Sequence, residues 1–246
     1  MEWRDQAVVL GVRPHGETSV ILDVVTQEHG RHLGIVRGGT SRKLAPVLQP
    51  GNLVDVSWRG RLEEHIGSYQ VEPITGFSGR VLSDRLLLSG LNALCSVARA
   101  SLAERLPCQQ MFKSILSLMY LFDEPPLWPL AYLRWELDLL SFLGFGLQLG
   151  SCAVTGRGDD LVYISPKSGT AVSRDGAGDW ASRLLPLPPV LLGQGAAEPQ
   201  DVKDGLDTTG FFLKKHVFAE KGAEHLPRAR SEFLDRLARQ GNAAGK

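Results

Sequence analysis

Asn52-Leu53-Val54-Asp55-Val56-Ser57-Trp58 is the stretch that decides the fold class. Val54, Val56 and Trp58 alternate with Asp55 and Ser57, the period of two expected of a strand with one buried face. Pro50-Gly51 opens the run and Gly60 closes it, so the strand is short and bounded by turns. Toward the N-terminus, Gln6–Val12, Ser19–Thr26 and His32–Arg37 are runs rich in Val, Ile and Leu, parted by Pro14-His15-Gly16 and by Gln27–Gly30. On the other side, Leu62–Glu72 follows the Gly60 turn and stops at Pro73. Five short strands with almost no helix between them predict a small closed barrel.

After Gly79 the period changes. Leu82, Leu86, Leu91, Leu94, Ala98 and Leu102 recur at helical spacing as far as Pro107. Met111, Ile115, Leu118 and Phe122 repeat the pattern up to Pro125-Pro126, and Leu130, Leu133, Leu137 and Leu140 form a third stripe closed by Gly144 and Gly146. Ser151–Asp179 reads as loop. Two further helices are expected, over Val202–Ala219 and from Pro227, a good first-turn proline, to Arg239. Disorder is expected for the tail Gly241–Lys246. The fold class is therefore α+β: a barrel domain over residues 1–79, then a mostly helical domain over residues 80–246.

A chain of 246 residues with 43% hydrophobic content can bury a sizeable core. An export signal is not expected, because the apolar run Ala7–Val12 is too short for one. The apolar-rich stretch Leu127–Leu149 is interrupted by Pro129, Arg134, Glu136 and Asp138, which excludes a simple membrane span. Cys95, Cys108 and Cys152 are odd in number and form no CxxC pair, so a reducing cytoplasm is expected.

The 27 basic and 27 acidic residues cancel, but they are unevenly distributed. From His29 to Arg61 six basic residues (Arg31, Arg37, Arg42, Lys43, Arg59 and Arg61) face one acidic residue, Asp55. An electropositive patch of this kind binds phosphates despite overall neutrality. The run Arg31–Lys43 ends a strand in Arg37, and Gly38 and Gly39 then free the backbone before Arg42-Lys43. Cations on a glycine loop can follow an irregular phosphate backbone. Arg59 and Arg61 flank Gly60 in another turn between strands. Trp58 and Tyr69 could offer stacking faces for bases, although Trp58, in phase with Val54 and Val56, reads better as core.

Common catalytic signatures are missing: there is no GxxxxGK[ST], GxGxxG after a strand, GxSxG or HExxH. Gly38-Gly39-Thr40-Ser41 has Arg42 where a phosphate loop needs lysine before Ser or Thr, and it reads as a flexible loop. His216 and Glu220 share a helical face, but two ligands do not make a metal site.

An ordered set of short motifs resembles the bacterial recombination mediator family RecO. It begins with Glu17-Thr18-Ser19, Thr26 with Glu28-His29-Gly30, Val36-Arg37-Gly38-Gly39 with Ser41-Arg42, and Leu48-Gln49-Pro50-Gly51. It continues with Leu133, Glu136-Leu137, Leu140 and Leu143-Gly144-Phe145, then Cys152 with Thr155-Gly156, Ser165-Pro166 with Gly169, and Arg228-Ala229-Arg230. The resemblance implies an N-terminal OB-fold, a helical C-terminal domain and no enzymatic activity. It also implies binding of single-stranded and double-stranded DNA, annealing, partnership with RecR, contact with the tail of single-stranded DNA-binding protein, and indirect action on RecA. A cytoplasmic, nucleoid-associated location follows.

One departure concerns zinc. Some members of that family carry a four-cysteine module after the third helix. Here Cys152 stands where the first ligand would lie, Thr155 replaces its partner, and no second pair follows Ser165-Pro166. One soft ligand cannot hold tetrahedral zinc. A degenerate, metal-free module is expected at about residues 150–182, with no cofactor anywhere in the chain.

The acidic, apolar tail of single-stranded DNA-binding protein is expected on the leucine stripe of the Leu130–Leu143 helix. Arg134 would meet its terminal carboxylate; the competing reading is a local pair with Asp138 at i, i+4. Two rival functions stand beside the mediator. One is an RNA-binding barrel, since OB-folds serve both polymers. The other is an enzyme using the glycine loop or His29 and His32, which lacks a convincing nucleophile or acid–base pair.

Overall fold

The structure is a computed structural model that describes residues 1–195, 197–219, 222 and 225–244. Its first five strands are β1 (Glu2–His15), β2 (Ser19–Thr26), β3 (Arg31–Val36), β4 (Leu53–Arg59) and β5 (Ser68–Thr75). They close in the order β1-β2-β3-β5-β4, with a short parallel pairing of β3 and β5 (Ile35 with Ser68, Val36 with Tyr69) as one seam. This is the five-stranded barrel of the OB type. β1 is long enough to serve two neighbours: Glu2–Val8 pair with β4 and Ala7–His15 with β2. A bulge between Val9 and Gly11 bends it from one to the other.

Alternation places Ala7, Val9, Leu22, Val24, Val54, Val56 and Trp58 in the barrel core. The expected fifth strand needs correction at both ends. Residues 60–67 form a loop, whose Ile66 carbonyl accepts the Trp58 indole N–H at 3.0 Å, and pairing begins only at Ser68. Pro73 does not end the strand. A register shift between Leu53 and Val54 accommodates it, and pairing resumes at Thr75.

The helices are α1 (Phe77–Arg80), α2 (Arg85–Ser101), α3 (Gln109–Tyr120), α4 (Trp128–Phe142), α5 (Arg174–Ala177), α6 (Pro199–Leu213) and α7 (Arg228–Ala244). α2 starts after Asp84, whose carboxylate caps the amides of Leu86 and Leu87 at 2.8 and 3.0 Å. Leu82, expected inside this helix, therefore lies before it and is exposed. α2 packs on β1, where the Cys95 thiol reaches the Val9 carbonyl at 3.7 Å.

Two compact units result: Met1–Pro125 with Pro227–Phe233, and Pro126–Leu226 with Leu234–Lys246. The change from strand to helix near residue 79 falls inside the first. In the second, α4 packs on α6. The buried face of α4 is Trp128, Pro129, Tyr132, Leu133, Trp135, Glu136, Leu139 and Leu140, while Leu130 and Leu137 are only partly covered. The leucine stripe thus misplaced the face, because the aromatic residues take the centre of the packing. Ser151–Asp179 is not simply loop. Strands β6 (Leu161–Ile164) and β7 (Ala171–Ser173) form a sheet with β8 (Leu185–Pro186) in the order β7-β6-β8. α6 continues into a π-helical turn, Lys214–Phe218. The helix backbone of α7 runs through Ala244, beyond the Gly241 at which disorder was expected; the last two residues of that tail lie outside the described residues, as does Glu220.

Candidate nucleic-acid interface

β3 ends at Val36 beside Tyr69, and β4 ends at Arg59 beside Ser68. This pairing gathers Arg37, Arg59 and Arg61 around one shallow depression, with His65 and Ile66 beside them. Arg37 and Arg61 are exposed and make no ion pair among the described residues. Arg59 is exposed too, but its guanidinium already grips Glu2 through bonds of 2.9 and 3.0 Å. Two free cations and one shared cation therefore face the depression.

The chain leaves Arg37 through Gly38, whose φ of +66° is left-handed and suits glycine. The following segment is tied down rather than loose. The Thr40 amide donates to the Thr18 carbonyl at 3.3 Å, and Ser41 closes a turn onto Gly38 at 3.0 Å. Leu48 is buried and joins the barrel core. Arg42 and Lys43 stand exposed on this anchored segment, without ion pairs among the described residues. Anchoring lowers the ordering cost of a phosphate contact relative to a mobile loop.

Arg31 stands apart from the other five. Its guanidinium lies on the Asp23 carboxylate, Nε to Oδ1 at 2.9 Å and Nη2 to Oδ2 at 2.7 Å, and both side chains are largely covered. The charge read from sequence as free is neutralised by a partner eight residues earlier. Trp58 and Tyr69 offer no stacking face, since both are buried. The Tyr69 hydroxyl and His32 Nδ1 share a hydrogen bond of 2.9 Å. Burial, then the neighbouring Arg105 charge, lowers the His32 pKa to about 4, so this imidazole is neutral at physiological pH. On the barrel, Trp3 is only partly buried and stacks on His29 at 4.0 Å.

In the second unit, Arg134 does not pair with Asp138. It donates to the carbonyls of Val190 and Leu191 at 2.6 and 3.2 Å. Glu136 is fully buried and accepts from the Thr209 hydroxyl at 2.5 Å. Cys152 is buried in a turn where its sulfur collects the Ser173 amide and hydroxyl at 3.2 and 3.3 Å and the amides of Val154 and Thr155 at 3.4 Å. Burial pushes the thiol up, but these bonds outweigh it and bring the pKa down to about 6. Among the described residues, no three His, Cys, Asp or Glu side chains converge as a metal site.

A five-stranded barrel carrying exposed cations, without ion pairs among the described residues, on the turns leaving β3 and β4 defines a protein of the OB-barrel class. Residues 1–77 match the family described as Recombination protein O N terminal, and residues 82–224 match Recombination protein O C terminal. The DNA repair protein RecO of Ruegeria sp. strain TM1040 is 52% identical over 240 residues, covering 98% of this chain and 100% of that one. The protein of the same description from Roseobacter denitrificans is 49% identical over 240 residues, with the same coverage. The chain belongs to the RecO family of DNA repair and recombination proteins, a family of mediators rather than enzymes. No helix among the described residues is long and apolar enough to cross a membrane.

Proposed function

We propose that the chain binds single-stranded DNA through the barrel and anneals complementary strands. With RecR, it helps load RecA onto DNA coated by single-stranded DNA-binding protein in the cytoplasm, at the nucleoid. The observation that carries this reading is the set of exposed cations without ion pairs among the described residues, Arg37, Arg42, Lys43 and Arg61, on turns of an OB barrel. Annealing needs no reactive group: basic side chains screen two backbones while the bases remain free to pair. Double-stranded DNA is held through the same phosphate contacts. The tail of single-stranded DNA-binding protein docks on the helical unit at Arg134. Two of that guanidinium's five donors are used by the Val190 and Leu191 carbonyls, which fixes the fork and leaves donors for a carboxylate.

The test is a competition between single-stranded DNA and RNA of equal sequence, run beside an annealing assay with complementary DNA strands. Preference for DNA with accelerated annealing supports the mediator. Equal or tighter RNA binding without annealing replaces it with the RNA-binding barrel.

A further inference from the structure

Two arginines outside the sequence-derived set, Arg13 and Arg99, come together on the barrel's outer face. The bulge in β1 sets Gly11 across from Asp23 and Arg13 across from Ile21. β2 in turn sets Asp23 against Leu33 and Ile21 against Ile35. On β3, His32, Gly34 and Val36 point into the barrel, while Arg31, Leu33 and Ile35 are half-buried on the outside. Two rows therefore cross the outer face of the three strands: Gly11–Asp23–Leu33 and Arg13–Ile21–Ile35.

Gly11 leaves its row open for Arg99, which reaches over from α2. A Cβ at Gly11 would lie 2.7 Å from Arg99 Nη1. The result is a cleft of about 90 Å³ in which Arg13, Arg31 and Arg99 surround Asp23, room for roughly three water molecules. The single carboxylate is already committed to Arg31. Arg99 is half-exposed and only loosely held, its Nε 3.6 Å from Asp23. Arg13 is exposed, with no ion pair among the described residues. Three guanidiniums against one carboxylate leave a positive cleft with low-dielectric walls, which concentrates anions.

We propose that this cleft is a second phosphate-binding station, and that a single strand runs from it along the outer face of β3 to Arg37. This inference rests on the single-stranded DNA reading above and adds its path. Arg31 and Arg37 are six residues apart on an extended segment, about 20 Å. At roughly 3.4 Å per nucleotide of a stacked strand, that span takes about six nucleotides, within the ~4–16 typical of one OB fold. Leu33 and Ile35, half-buried between the stations, give the bases an apolar floor.

The test uses the full chain, fluorescent dT4, dT8 and dT12, and a salt series. Wild type gains affinity between dT4 and dT8 as both stations engage. R13A/R99A loses that gain, binds dT12 about tenfold more weakly, and flattens the log–log salt slope by about 0.7 for each phosphate it no longer neutralises. G11A, which displaces Arg99 without changing charge, moves affinity in the same direction. Unchanged dT12 affinity and slope in R13A/R99A, with its melting temperature retained, would overturn the proposal. A second arm measures thermal shift with inorganic phosphate and with dTMP. A shift from either that R13A/R99A abolishes, while dT12 binding stays unchanged, assigns the cleft to a free phosphate ligand and overturns the strand path. Failure of wild type to bind any oligonucleotide would instead remove the DNA reading itself.

Discussion

Arg31 lies on the Asp23 carboxylate through two parallel bonds of 2.9 and 2.7 Å, and this pair fastens β3 to β2 rather than presenting a free cation to solvent. The two residues sit near facing positions of the ladder, where Val25 pairs Arg31 and Asp23 pairs Leu33. Removing Arg31 would leave a largely covered carboxylate whose remaining ion-pair partner among the described residues is Arg99, at 3.6 Å. Breaking a fully buried pair costs ~3–5 kcal/mol; with Arg99 in attendance, about 2 kcal/mol is expected for Arg31→Ala. Urea unfolding of Arg31→Ala beside Arg37→Ala checks this. Arg31→Ala should lose stability and Arg37→Ala should keep it; equal midpoints would contradict the structural role.

His32 makes stability depend on pH in a defined window. Its folded pKa of about 4 lies below the unfolded 6.5, so below pH 6.5 the unfolded chain binds a proton that the folded barrel refuses. The contribution is complete above pH 6.5 and is lost as pH falls toward 4. Between pH 6.5 and 5 the loss is about 2 kcal/mol. Unfolding free energies measured at pH 7, 6 and 5 for wild type and His32→Gln should converge as pH drops. A wild-type profile as flat as the variant's would show that the imidazole does not control this window.

How much of this was legible in the sequence differs between the two ends of the chain. The barrel was readable because half-buried strands alternate and Gly and Pro punctuate them. The β5 start was not, because Leu62 and Ile66 look like strand residues while the Trp58 indole holds residue 66 in a loop. Arg31 and Arg37 are alike as letters, and only pairing across strands shows that one is neutralised. Arg13 and Arg99 were missed for the same reason: a bulge and a helix 86 residues downstream of Arg13 bring them together. The one visible signal was Gly11 inside an otherwise apolar strand. The small sheet was hidden because β7 and β8 are three and two residues long, too short for periodicity to register.

Zinc should be absent. Elemental analysis of protein purified without added metal should find far less than one equivalent, and a chelator should leave the melting temperature unchanged. The Cys152 sulfur already receives donors from Ser173, Val154 and Thr155, so the turn has internal support without a metal. One equivalent of zinc that resists dialysis would contradict this reading.

Arg134→Ala should weaken binding of an acidic, apolar peptide copied from the tail of single-stranded DNA-binding protein, with DNA binding unchanged. A charge-assisted bond removed from a partly covered site corresponds to ~1.5–3 kcal/mol, or roughly tenfold to a hundredfold in affinity. Because Arg134 also supports the Val190 and Leu191 carbonyls, the melting temperature of the variant is measured alongside. A folded variant with wild-type peptide affinity would place the docking site elsewhere.

The most direct test of the central claim is the salt dependence of binding to a fluorescent single strand, compared among wild type, Arg42→Ala/Lys43→Ala and Arg37→Ala/Arg61→Ala. The four residues are exposed and make no ion pairs among the described residues, so neither double variant should unfold the barrel. Both double variants should bind every sequence tested more weakly, with a log–log slope flatter by about 0.7 for each phosphate left without its cation, up to about 1.4 per pair. Wild-type affinity and slope in both double variants would contradict the claim and move the DNA away from the turns that follow β3 and β4.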